Sequence, residues 1–88
     1  MSAERIKVLR ERLIEALTPQ RLELEDDSAA HVNHIGARQG GGHFKVVISS
    51  QHFVGLLPLA RHRLVYDAVG DLMGREIHAL SIEAHLPS

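Results

Sequence analysis

His43-Phe44-Lys45-Val46-Val47-Ile48-Ser49-Ser50 is the stretch that decides the fold. Phe44, Val46 and Ile48 recur at every second position, the period of a strand with one buried face, and Val47 points the other way. Working upstream, Arg21-Leu22-Glu23-Leu24-Glu25 alternates polar and apolar residues and predicts a shorter strand. Before it, Ile6, Leu9, Leu13 and Leu17 recur at three- and four-residue steps, which predicts an amphipathic helix over residues 3–17. Arg5, Lys7, Arg12 and Glu15 lie largely off that stripe, and Ser2 suits the N-cap. Thr18-Pro19 ends the helix, because proline cannot continue it and restricts the residue before it.

Downstream, a loop with Phe53 and Gly55 leads to Pro58, which suits the first turn of a second helix. Leu64, Val65, Ala68, Val69, Leu72 and Met73 form its apolar stripe, and Gly74 suits the position just past its end. Ile77 to Ala84 predicts the last strand, with His78, Leu80, Ile82 and Ala84 on one parity, and residues 85–88 form a fraying tail. The order α-β-β-α-β predicts one α+β domain over residues 1–88, a three-stranded sheet with both helices packed on one face. The second and third strands are joined through a helix, so they are parallel if adjacent.

Ten basic and eleven acidic residues nearly cancel, so any nucleic-acid footprint must be a local patch. The densest basic cluster is Arg61-His62-Arg63, which together with Lys45 could meet phosphates or an acidic partner. Phe44, Phe53 and Tyr66 are the only aromatic residues of the Phe, Trp and Tyr class, too few to interleave with bases. No apolar run approaches a membrane span, and Met1-Ser2-Ala3-Glu4-Arg5 has no secretory apolar region; a cytoplasmic location is the expectation. An enzyme is not expected. There is no cysteine nucleophile, no serine has a nucleophile setting, and the carboxylates fall in solvated runs.

Seven histidines and no cysteine remain to be explained. Histidine is the commonest neutral metal ligand, but a chain without thiolates cannot hold an iron–sulfur cluster alone. His31 and His34 lie in the long loop 26–42, and His43 and His78 sit at predicted strand starts. These four are also a conceivable zinc set, provided the loop folds tightly over Gly40-Gly41-Gly42. The three glycines otherwise predict a flexible hinge ahead of a strand, since a phosphate loop would lead into a helix.

Four blocks in order resemble the BolA family: His43 to Ser50, Phe53-Val54-Gly55-Leu56, Arg61-His62-Arg63-Leu64-Val65-Tyr66, and Ile77-His78-Ala79-Leu80. The resemblance runs from the first helix to the last strand. It implies an α-β-β-α-β fold with an extra helical turn, similar to a class II KH domain. It also implies partnership with a monothiol glutaredoxin and glutathione around a shared [2Fe–2S] cluster, in cluster trafficking or iron regulation. In bacterial members it implies DNA-binding transcriptional regulation. On this resemblance His78 is one metal ligand, and the second comes from the loop. Counting forward from Asp27-Ser28 places that ligand at His31, the preferred position, whereas counting back from His43-Phe44 places it at His34. His43 is then a structural residue or a donor that orients a ligand. The isolated chain is expected to be monomeric and to carry no cofactor of its own. Two departures stand out: Leu57 precedes Pro58 where members often have serine, and no KH-type Gly-x-x-Gly loop is present.

Overall fold

The computed structural model describes residues 2–27 and 42–88. Helix α1 (Ser2–Leu17) is followed by strands β1 (Arg21–Asp26) and β2 (Gly42–Ser49), helix α2 (Pro58–Val69) and strand β3 (Ile77–His85). Single 3-10 turns at Gln51–Phe53 and Gly70–Leu72 flank α2. The decisive strand is central: the sheet order is β1-β2-β3, with β1 antiparallel and β3 parallel to β2.

Packing follows the sequence pattern. Leu9, Leu13 and Leu17 of α1 meet Phe44, Val46 and Ile48 of β2 and Val65 and Val69 of α2 in one buried cluster. Both helices therefore cover the same sheet face. Lys45 and Val47 alternate onto the other face, where Lys45 pairs with Glu83 of β3 at 3.1 Å.

Several boundaries differ from the sequence expectation. The loop between the first two strands is shorter than 26–42, because Asp26 pairs with Phe44 and Asp27 N–H donates to the His43 carbonyl at 2.7 Å. Gly42 is not a hinge. It is the first residue of β2 and is buried, and a Cβ there would land on the Phe44 ring. Helix α2 stops at Val69 rather than near Met73. Gly70 caps it at φ 59°, with its N–H on the Tyr66 carbonyl. Arg12 Nη1 then donates to the Val69 carbonyl at 3.0 Å and reaches Asp71 at 3.1 Å. The tail does not fray: Ser88 N–H donates to Gln20 Oε1 and Gln20 Nε2 donates to the Ser88 carbonyl.

Candidate functional site

The start of β3 departs from regular alternation, and the departure places its histidine. Gly42 pairs with Ile77 but His43 pairs with Ala79, so the register slips by one residue and His78 has no opposite number on β2. Such a bulge re-aims side chains, because a one-residue slip exchanges the two faces of a strand. Ile77 is 1% exposed and takes the buried place, while Leu80, Ile82 and Ala84 pack on the core. His78 does not share the parity of Leu80, Ile82 and Ala84 expected for it; it is exposed. The sequence held a signal for this. Ile77 and Leu80 are three residues apart, an odd spacing that cannot put both on one face of a regular strand.

The bulge brings His78 beside His43. Their ring centroids lie 5.1 Å apart with planes tilted by 42°. His43 is half-buried and lines a shallow depression with Asp27, Phe44, Ala79, Leu80 and Ser81. His43, assigned above to structure or to orienting a ligand, is thus the described imidazole adjacent to His78. His31 and His34 lie outside the described residues, and so does any zinc set that includes them. Among the described residues, no three histidine or carboxylate side chains converge to hold a metal ion. The two described imidazoles alone are fewer donors than a closed metal site needs, so a metal held here would need further donors.

The basic residues are not brought together. Arg61 reaches across to the sheet: Nε donates to the Leu56 carbonyl at 2.9 Å and Nη1 to the Ala84 carbonyl at 3.3 Å. It fastens the start of α2 to the end of β3. Arg63 lies exposed on α2. Lys45 stands on the opposite sheet face, and its hydrogen bond and charge contact with Glu83 hold its pKa above the usual lysine value. Glu83 is correspondingly held low, by hydrogen bonds from Lys45 and then His85. At the N-cap of α2, Leu57 makes no side-chain cap, as its departure from serine predicts. No helix among the described residues is long and apolar enough to cross a membrane.

Comparison with known proteins bears on this geometry. The family model described as BolA-like protein matches residues 13–88. BolA-like protein 1 of Homo sapiens is 42% identical over 80 residues, covering 91% of this chain and 56% of the relative. The chain thus spans little more than half the length of that relative. The DNA-binding transcriptional regulator BolA of Vibrio cholerae is 36% identical over 78 residues, covering 89% of this chain and 71% of that protein. Among solved structures, the BolA domain of SufE1 from Arabidopsis thaliana superimposes with a TM-score of 0.82 at 40% identity, covering 94% and 92% of the two chains. The four sequence blocks, the α-β-β-α-β order and these matches agree, and the chain belongs to the BolA family.

Proposed function

We propose that this chain is a non-enzymatic partner of a monothiol glutaredoxin and contributes imidazole ligands to a bridging [2Fe–2S] cluster in iron–sulfur trafficking or iron regulation. The observation that carries the proposal is the bulge at the start of β3. It spends a regular pairing position to expose His78 while Ile77 closes the core behind it. His78 would be one ligand, with His31 as the second and His34 as the alternative. His43, in ring contact with His78, would orient it or limit its rotamers. Thiolate donors would come from the glutaredoxin and glutathione, since this chain has none. When bound, such a cluster carries electrons and iron, and histidine ligation makes its hold on the chain dependent on pH.

The test is to mix the chain with cluster-loaded monothiol glutaredoxin and record visible circular dichroism. His78→Ala should abolish the heteromeric spectrum while the free variant keeps its fold. An unchanged spectrum and cluster lifetime would remove His78 from the site. His31→Ala should perturb the spectrum more than His34→Ala; the reverse order would move the loop ligand.

A second reading, DNA-binding regulation, is favoured by the name of the Vibrio cholerae relative. Against it, Arg61 is spent on carbonyls, and Lys45 is paired on the far face. If Arg61 and Arg63 do contact phosphates, duplex binding should weaken steeply with salt, and the log–log slope should fall by about one unit per contact removed. No binding to any duplex at low salt would retire this reading.

A further inference from the structure

Gly42 faces the bulge from β2. It pairs with Ile77, and the next pair on the same two strands is His43 with Ala79, so the slip that leaves His78 unmatched falls between Gly42 and His43. The Gly42 N–H donates to the Glu76 carbonyl at 2.9 Å. Backbone conformation does not explain this glycine. Gly55, Gly70 and Gly74 have positive φ, and Gly42 is not among them. The space around it does explain it. A Cβ on Gly42 would overlap the Phe44 ring at Cε2 and Cζ. Phe44 is 2% exposed, so its ring is packed on all sides and has nowhere to swing. Glycine inside a strand marks a bulge or a close approach, and Gly42 marks both.

The consequence reaches His78 through the core. Residues 42 and 44 point to the same face of β2, and the Phe44 ring folds back along the strand into the place that a side chain at 42 would take. On β3, Ile77 stands opposite Gly42 and Leu80 stands opposite Phe44. Ile77 belongs to the core and Leu80 packs against it, yet they are three residues apart where strict alternation allows two. The extra residue is taken up at His78, which is exposed. Two fixed pairs therefore bracket His78: Gly42 with Ile77 before it, and His43 with Ala79 after it. A side chain at 42 could fit in only two ways. It displaces the Phe44 ring, or it forces the Gly42–Ile77 pair apart. Either change moves one bracket against the other, and the bulge that sets His78 beside His43 moves with it. The 5.1 Å between the two rings is the quantity at stake.

We infer that Gly42 is a positioning residue for His78: its missing side chain lets the Phe44 ring and the Gly42–Ile77 pair fit together, and that fit holds the His78 imidazole beside His43. The inference rests on the ligand role proposed for His78, but its first readout is independent of any cluster. That readout is the nuclear Overhauser contact between the His43 and His78 rings in the isotope-labelled full chain. The second is the visible circular dichroism of the chain mixed with cluster-loaded monothiol glutaredoxin. Gly42→Ala should keep the amide pattern of a folded chain, lose the ring contact, and weaken the heteromeric cluster complex about tenfold, the scale of losing a group that orients a metal ligand. Val46→Ala is the control for stability alone. Val46 is fully buried in the same strand, so its truncation should destabilise the chain and leave both signals in place. Gly42→Ala combined with Phe44→Leu should recover both signals, because leucine leaves room for the added methyl. A glycine needed only for stability would not be rescued by a second loss from the core. If Gly42→Ala alone fails to fold, the double variant decides, and it must show the ring contact. A folded Gly42→Ala that keeps the ring contact would overturn the inference. So would a double variant that lacks the contact while Val46→Ala retains it. His78→Ala is measured beside them: a heteromeric spectrum equal to wild type would remove the ligand role, whatever the ring contact shows in the Gly42 variants.

Discussion

The two ends of the sheet are held in different ways. At the end where β2 and β3 finish, side chains lock the elements together. The Ser50 hydroxyl is buried, donates to the Leu17 carbonyl at 2.6 Å and accepts from His52 N–H at 3.1 Å. Arg61 spans to Ala84, and Gln20 grips Ser88. At the end where β2 and β3 begin, backbone hydrogen bonds join the elements: Gly42 N–H to the Glu76 carbonyl at 2.9 Å, Gly74 N–H to the Ile77 carbonyl at 2.8 Å, and Asp27 N–H to the His43 carbonyl. One apolar ring, Phe44 lying over Gly42, seals that end. The lesson is that the locked end frees the other to carry an irregular register and polar, titratable side chains. Side-chain locking and the candidate site thus lie at opposite ends of one strand pair.

Phe44→Ala should show the largest effect, about 3–5 kcal/mol of lost stability, from the transfer and cavity terms of a buried ring. Hydrogen exchange should show amides at the start of β2 and β3 opening first. Uniform loss of protection at both ends would mean that Phe44 serves the whole core rather than its own end. Ser50→Ala comes next, about 1–3 kcal/mol by chemical denaturation, because it leaves the Leu17 carbonyl without its hydroxyl donor. Its damage should concentrate at the junction of α1 with the turn at Gln51–Phe53. A change below about 0.5 kcal/mol would show that water or another donor replaces the hydroxyl.

His78→Ala should change folding stability by no more than about 0.5 kcal/mol, the range of exposed substitutions. The expectation sharpens the contrast. A residue that matters for ligation but not for folding belongs at the unlocked end. A loss comparable to that of Ser50→Ala would make the His43–His78 contact structural.

The sequence announced the packing of this fold more fully than it announced its irregularities. Leu9, Leu13, Leu17, Phe44, Val46 and Ile48 could be named as core because burial imposes periods of 3.6 and 2 on the chain. The helical crossover made β2 and β3 parallel if adjacent, and their adjacency came from the structure. What escaped was set by tertiary contact. The bulge at His78 goes with the burial of Ile77 in the core, and the end of α2 depends on Gly70 meeting Arg12. Arg61 looked like a phosphate contact because charge is visible in a sequence and an accepting carbonyl from a distant strand is not. Of the candidate site, His78 was named through its family block. The neighbouring position of His43 needed the strand register, and the loop histidines lie beyond the described residues.

Between the two ends, on the open face of the sheet, lies the Lys45–Glu83 pair, and it should have the smallest effect of all. Its side chains are substantially exposed, so salt screens it and its contribution is minor. The pH dependence is nevertheless definite in sign. Glu83 titrates lower in the folded chain than in the unfolded one, held down first by its hydrogen bond from Lys45. Its contribution is therefore present above the unfolded carboxylate pKa and is lost as pH falls through the depressed folded value. Lys45 titrates higher when folded, so its share is present below the ordinary lysine pKa and is lost as pH climbs through the raised one. Glu83→Gln should lower the thermal midpoint slightly across neutral pH, and the difference should close in acid. At the alkaline extreme it should close again as Lys45 discharges. Raising ionic strength at neutral pH should shrink the gap as well. A gap that stays constant from acid to alkali would mean that Glu83 acts through packing, and the open face would then belong with the locked end rather than between the two.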